Sequence, residues 1–456
     1  MELKRQFSSY FQGFVLGFYK WNHQPPVVVG GFIRFVWLVA TVERNCQIHL
    51  FGIDVILVVS LLMHMNFHHP LVSVIIPAYN AEKFIVETLN SVLYQTYKNI
   101  EVLVVDDGSQ DRTAEIVESF AQKDNRIIFL KQVNAGVAAA RNLAIQKSSG
   151  EYIAPIDADD IWDTLKIEKQ LKLMLESESS VGLVYARSVF INEHGSVIGK
   201  YHKADDFFES QIVEGEVYTA LLYSNFMANA SVPLIRRACF ERVGYYNCKL
   251  REKNAQGCED WDMYLRIAEF YQFRVVPEFL VGYRQVVGSM SANYLTMAKS
   301  YELVWADVKQ RHPEIPNYIY QWSASNFYIF LSNKSYTCGN NLSCIMWLHK
   351  AITKDSMQLL NTGLYRVLIP CIIKILLKPV TSLIWKDHKA WLNFKQQFKQ
   401  KQQGIKVLAI SDMNGQINIE SRESKKLYDT VLQHRWSQVF QTCQTVLTPK
   451  TTIKQA

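Results

Sequence analysis

The 456-residue chain is 49% hydrophobic, 20% charged and 12% aromatic, enough apolar material for two or three domains with cores of their own. Its net charge of +7 is small for this length and is not gathered into basic, aromatic-interleaved stripes, which argues against nucleic acid as a partner. Eight cysteines form no CxxC pair and no His/Cys cluster at zinc spacing, so neither a disulfide framework nor a structural zinc is expected, and the reduced cytoplasm is the default setting.

Residues 1–68 are poorly patterned. Two short apolar runs, "GGFIRFVWLVATV" and "GIDVILVVSLLMHM", are interrupted by Arg34, Asp54 and His64. A spanning helix wants about 20 apolar residues, and a charge near its centre costs roughly 2.5 to 3.5 kcal/mol. Two readings stay open: a weak membrane segment through residues 48–67, or a mis-called start, with translation beginning at Met63 or Met65. The apolar segment comes too late, and lacks the small-residue cleavage site, for a secretory signal.

From residue 71 the pattern becomes regular. "LVSVIIPAYN" is a β-branched run, and Phe84, Ile85, Thr88, Leu89, Val92 and Leu93 follow at helical spacing. The strands "NIEVLVVDD", "RIIFLKQ" and "EYIAPID", with the helices "DRTAEIVESFAQKD", "GVAAARNLAIQKSS" and "DTLKIEKQLKLML", complete four βα units. Continuous rather than alternating apolar strands, each followed by a helix, predict an α/β fold: a mainly parallel sheet with helices on both faces. Residues 181–300 mix strand-like "VGLVYARSVFI" with a helix near "EGEVYTALLYS". Residues 300–390 read as a helical extension, its aromatics serving packing, and 391–456 as a polar, basic tail. Within the extension, residues 364–385 are strongly apolar but carry Arg366, Lys374 and Lys378, which fall within about 120° of one another on a helix. That pattern predicts in-plane contact with an anionic membrane surface, Pro370 and Pro379 kinking or bounding the helix. The competing reading is a buried helix with a solvated tail.

In an open parallel sheet, ligands bind beyond the carboxyl ends of the strands. Three such ends carry unusual residues: Pro77, Ala78, Tyr79 and Asn80; Asp106, Asp107, Gly108 and Ser109; and Asp157, Ala158, Asp159 and Asp160. An aromatic such as Tyr79 can stack on a base, Asp107 can accept from a base imide or a ribose hydroxyl, and paired aspartates can hold a divalent ion that bridges phosphates. Each stretch by itself also fits turn and cap chemistry, with Ser109 or Asp111 capping the next helix and Asp160 serving as an N-terminal acid. No GxGxxG follows the first strand and no GxxxxGK[ST] is present, so neither common phosphate cradle is available. A second acidic stretch, "GCEDWDMYLRIAEF", places Glu259, Asp260 and Asp262 in a first helical turn. It offers either a general base or dipole chemistry with an Asp262–Arg266 pair.

"VSVIIPAYN", "VLVVDDGSQDRT", "NAGVAAARN", "GEYIAPIDADDIW", "CEDWDMYLRIA" and "GYRQVVGSMS", in this order, resemble the family 2 glycosyltransferases of GT-A fold, over residues 70–295. The resemblance implies an inverting transfer from a nucleoside-diphosphate sugar, a UDP-sugar first among them, to the hydroxyl of a glycan or lipid-linked acceptor in cell-envelope polysaccharide synthesis. It places Pro77 and Tyr79 against the nucleobase, Asp107 on the base, Asp157 near the ribose and Asp159 on a divalent metal, Mn2+ or Mg2+. Asp260 takes the place of the catalytic base, and Tyr283, Arg284 and Ser289 that of a segment closing over the diphosphate. Thr164 departs from the proline common in relatives and is expected to cap the next helix. A processive "QxxRW" motif is absent, which favours single additions. The rival reading is a catalytically inactive nucleotide-binding protein of the same fold.

Overall fold

The computed structural model describes residues 69–200, 212–227, 229–286, 293–377, 410 and 427–447. The chain divides into two units, Met1–His69 and Pro70–Ala456. The architecture below is that of the second, and the readings of residues 1–68 lie outside the described residues.

Strand β1 (Val72–Ala78) is buried along its whole length. Helix α1 (Ile85–Leu93) lays Ile85, Thr88, Leu89 and Val92 against it, the i, i+3, i+4, i+7 stripe that the sequence shows. The unit repeats as β2 (Ile100–Asp106), α2 (Thr113–Ala121), β3 (Ile127–Lys131), α3 (Val137–Lys147) and β4 (Tyr152–Pro155). These four strands are parallel in the order 3-2-1-4, with Ile76 opposite Val104 and Ile75 opposite Pro155. Every carboxyl end therefore opens on one edge.

The chain continues through β5 (Ile161–Trp162), α4 (Lys166–Leu175), β6 (Val181–Ile191), β7 (Val197–Lys200), α5 (Tyr218–Tyr223), β8 (Pro233–Arg236), α6 (Arg237–Val243), α7 (Lys249–Glu252), α8 (Glu259–Ala268) and β9 (Gln272–Arg284). Strand β8 joins β4 antiparallel, and β6, β9 and β5 follow outward, with β7 beside β6, giving one nine-stranded mixed sheet. Thr164 does not cap α4 as expected. That helix starts at Lys166, the Asp163 carboxylate accepts from Leu165 N–H, and Thr164 instead accepts from Thr96 through its backbone oxygen.

A helical layer follows: α9 (Tyr294–Arg311), α10 (Asn317–Thr337), α11 (Asn341–Lys354), a 3-10 turn (Ser356–Leu360) and α12 (Thr362–Leu376). The expected packing role of the aromatics holds for Tyr320, Phe327 and Tyr328, all buried. Tyr301 stacks between Trp305 at 4.0 Å and Phe327 at 4.1 Å, and Trp261 of α8 meets Trp305 edge-on at 4.5 Å. Each such pair is worth about 0.5 to 1.5 kcal/mol beyond its burial, and together they anchor α8 to this layer. Pro370 does not end α12: the helix runs on to Leu376, forgoing one backbone bond. Pro379 and residues 378–385 lie outside the described residues.

Part of the expected polar tail is structural. Helix α13 (Leu427–Leu447) buries Tyr428, Leu432, Arg435, Trp436, Val439 and Cys443, a continuous stripe at helical spacing. Arg435 forms a bidentate buried pair with Asp355 at 2.5 and 2.8 Å, and the Thr219 hydroxyl donates to Val439 O at 2.7 Å.

Candidate active site

The turns after β1 and β2 brace each other. Asp107 N–H donates to Ala78 O at 2.8 Å, Asn80 N–H to Ser109 Oγ at 3.0 Å and Gln110 N–H to Asn80 Oδ1 at 2.8 Å. Asp111 caps the start of α2, accepting from Thr113 N–H at 3.0 Å and from Glu82 N–H at 3.1 Å. Tyr79 projects from this frame with half its surface exposed (51%). Pro77, expected against the nucleobase, is buried within β1 opposite Val105 and shapes the strand end. Its ring costs no ladder bond, because β1 pairs with β4 only as far as Ile75.

Asp107 is almost wholly buried. Its carboxylate accepts from Gln132 Nε2 at 2.6 Å, Ala135 N–H at 2.7 Å and Gly136 N–H at 2.8 Å. The last two donors open α3, so Asp107 also meets a helix N-terminus. Gly136 takes φ +93°, a conformation that favours glycine. Three donors leave room at Oδ2 for one more.

After β4, Ile156 N–H donates to Ile75 O at 3.0 Å, and the acidic loop leaves the sheet beside β1. Asp157 pairs with Arg141 of α3 at 2.5 Å. Asp159 is pushed up to about 7, first by burial and then by the charge on Asp157. A divalent ion would relieve this shortage of positive charge, so the donor set fits one. Among the described residues no group of three or more His, Cys, Asp or Glu could hold a metal, so an ion at Asp159 would need further oxygens from a ligand such as a diphosphate. Asp160 does not start a helix. It is fully buried, accepts from Ser231 Oγ at 2.6 Å and Arg284 N–H at 2.9 Å, and is held well above the usual carboxylate range by burial and by Asp159.

Asp260 stands in the first turn of α8, with Trp261 N–H on its Oδ1 at 2.8 Å. Burial pushes it up to about 6 against the pull of Arg141, while Glu259 and Asp157 add to the rise. Asp262 keeps to the structural role, paired with Arg266 at 3.0 Å. Arg141 thus links the two acidic clusters. Its guanidinium lies 5.3 Å from the Tyr246 ring centre, and Asn142 fixes Tyr246 by reciprocal bonds of 2.9 and 2.8 Å. No role for Arg141 emerges from residue types alone, yet a signal exists: it shares a buried stripe with Ala138, Ala144 and Ile145, where a charge demands a partner. Ser231, bonded to both Asp157 N–H and Asp160, carries no such signal.

Arg284, expected to bind the nucleotide-sugar, is buried and its guanidinium is turned toward protein acceptors. A buried guanidinium needs acceptors, and Arg284 finds them in Asp159 O at 2.6 Å, Asn192 O at 3.1 Å, Glu193 O at 2.9 Å and Glu87 Oε2 at 2.6 Å. It clamps the backbone of the acidic loop. Tyr283 packs on Phe190 at 5.9 Å, and Ser289 lies outside the described residues.

The family model described as "Glycosyl transferase family 2" matches residues 73–237. An uncharacterized glycosyltransferase of Methanocaldococcus jannaschii is 31% identical over 238 residues, 51% of this chain and 76% of that protein. TuaG of Bacillus subtilis, a glycosyltransferase provisionally assigned to teichuronic acid biosynthesis, is 30% identical over 246 residues, 53% of this chain and 90% of its own. Among solved structures, a Pyrobaculum calidifontis mannosyltransferase in complex with GDP-Man and Mn2+ is 19% identical with a TM-score of 0.43, covering 71% of this chain and 83% of that one. The mostly parallel sheet of order 3-2-1-4, extended by β8, β6 and β9, is of GT-A type. The chain belongs to glycosyl transferase family 2.

Proposed function

We propose that the protein transfers a sugar from a nucleoside-diphosphate donor, a UDP-sugar, to the hydroxyl of a glycan or lipid-linked acceptor, with inversion, in polysaccharide synthesis at the cytoplasmic side. One observation carries this reading: a carboxylate at about 6, Asp260, shares the cation Arg141 with the acidic loop at the strand ends. Tyr79 offers its exposed ring to the base, and the remaining acceptor site of Asp107 takes the imide N–H. Asp157, oriented by Arg141, faces the ribose. Asp159 would hold a divalent ion, Mn2+ or Mg2+, whose charge offsets that of the departing diphosphate. Arg284 and Ser231 keep the acidic loop in place from behind. Asp260 takes the proton from the acceptor hydroxyl, and the resulting oxygen attacks the anomeric carbon on the face opposite the leaving nucleoside diphosphate. A base near pKa 6 is ionised at neutral pH and still basic enough to accept a proton, the compromise general base catalysis favours.

The test is Asp260→Asn, assayed for nucleoside diphosphate released from candidate donors. Turnover drops by about 10²- to 10⁴-fold while nucleotide binding survives; turnover at the wild-type rate removes Asp260 from the chemistry. If the wild-type protein binds nucleotide but turns over no donor with any acceptor, the inactive nucleotide-binding alternative holds instead.

A further inference from the structure

An ionised carboxylate offers about four acceptor positions, two on each oxygen. On Asp107 three of them are taken by donors among the described residues. Oδ1 accepts from Gln132 Nε2 at 2.6 Å and from Ala135 N–H at 2.7 Å, and is full. Oδ2 accepts from Gly136 N–H at 2.8 Å and keeps one position. Asp107 can therefore receive one donor from a ligand, and no second donor beside it. Two of the three donors are backbone N–H groups at the start of α3, fixed by the fold; Gln132 is the one side chain among them. The loop that carries these donors is braced at both ends. Gln132 N–H donates to Asp106 O at 3.0 Å, and Asn134 Nδ2 donates to Asp107 O at 2.9 Å. Asn134 Oδ1 in turn accepts from Arg251 Nη2 of α7, and Arg251 packs so closely on Gly136 that a Cβ there would lie 2.7 Å from its Cδ. The donors cannot move aside without breaking this frame.

The nucleobases differ in how many donors they bring to such a group. Uracil and thymine present one, the imide N3–H, between two carbonyl oxygens. Guanine presents two adjacent donors, N1–H and N2–H, which a carboxylate ordinarily takes with both oxygens at once. Here the second of them would have to use Oδ1, whose positions are filled, so it would lose its water without gaining an acceptor. Cytosine and adenine put the lone pair of an unprotonated ring nitrogen where the imide N–H stands, against the charge of Asp107. We propose that Gln132, by filling Oδ1 of Asp107, limits the base site to a single donor and so selects an imide base, uracil or thymine, over guanine. Gln132 is on this account a specificity-determining residue that acts through Asp107, and it works by leaving the wrong base with an unpaired donor. The inference rests on the proposed contact between Asp107 and the base.

The test is calorimetry of the full-length protein with UDP, dTDP, GDP, CDP and ADP in the presence of Mn2+, repeated for Gln132→Ala. One buried donor left unpaired lowers affinity by about 5- to 150-fold, and the wild type is expected to prefer UDP and dTDP over GDP by that factor. Gln132→Ala opens a position on Oδ1, so the ratio of UDP to GDP affinity falls toward one, through tighter binding of GDP rather than weaker binding of UDP. A merely structural role for Gln132 would weaken both nucleotides alike and leave the ratio where it was. Two results overturn the inference while leaving sugar transfer as proposed: a wild-type protein that binds GDP as tightly as UDP, and a Gln132→Ala protein, folded by circular dichroism, that keeps the wild-type ratio. The wild-type comparison needs no variant to fold. Asp107→Asn checks the foundation separately, because unchanged UDP affinity there removes Asp107 from the base contact. A wild type that binds none of the five nucleotides counts against the proposed function itself and takes this inference with it.

Discussion

The role of Arg141 yields the sharpest test of the site. Asp260 is raised to about 6, above its ordinary range, so the ionised base is lost as pH falls through that value. A single-ionisation limb centred there leaves about 99% of the base active at pH 8, half at pH 6 and about 9% at pH 5. Arg141 is the favourable charge in this balance, acting on Asp260 and held on Asp157 at 2.5 Å. Arg141→Gln removes it, and Asp260 binds its proton more tightly. An interaction of about 1.4 kcal/mol moves the inflection by about one unit, from near 6 to near 7. The assay is kcat/KM for the acceptor between pH 5 and 8.5, at saturating donor and Mn2+ so that Asp159 is already committed. A purely structural role for Arg141 would lower the whole profile without moving its midpoint. A wild-type profile flat down to pH 5, or an Arg141→Gln midpoint that stays near 6, refutes the reasoning.

Two further outcomes follow from the same geometry. Asp159→Ala abolishes the part of nucleotide affinity that depends on Mn2+, while leaving the Asp107 and Tyr79 contacts in place; calorimetry showing equal affinity for the nucleoside diphosphate with and without Mn2+ in both proteins counts against Asp159 as the ligand. Arg435→Ala strands the buried Asp355 carboxylate and costs about 3 to 5 kcal/mol, read as a lower urea midpoint at unchanged slope; a loss below about 1 kcal/mol means that α13 contributes little to the fold.

How much of this was legible beforehand depends on the range of the interaction. The four βα units follow from continuous apolar strands and 3.6-residue stripes, and the observed 3-2-1-4 order sets their polar ends along one edge, as such a sheet requires. The clusters at 77–80, 106–109 and 157–160 and the acidic first turn at 259–262 were therefore readable from local pattern. Asp262 with Arg266 was readable too, because i, i+4 neighbours on a helix need no knowledge of the rest of the chain. Pro77, by contrast, belongs to the strand interior, and only the point at which β4 stops explains why a proline is tolerated there.

Sequence by itself determined the four βα units, their parallel arrangement and which residue types stand at the strand ends, since all of these depend on periodicity and on polar residues interrupting apolar runs. The partners of buried charges were decided by the tertiary structure. Arg141 meets Asp157 16 residues away, Arg284 meets Glu87 across 197, and Arg435 meets Asp355 across 80. A charge leaving water must find a complement wherever the fold supplies one, and that requirement carries no local signature. The same requirement set Arg284 against the backbone of the acidic loop and turned part of an apparently polar tail into a packed helix.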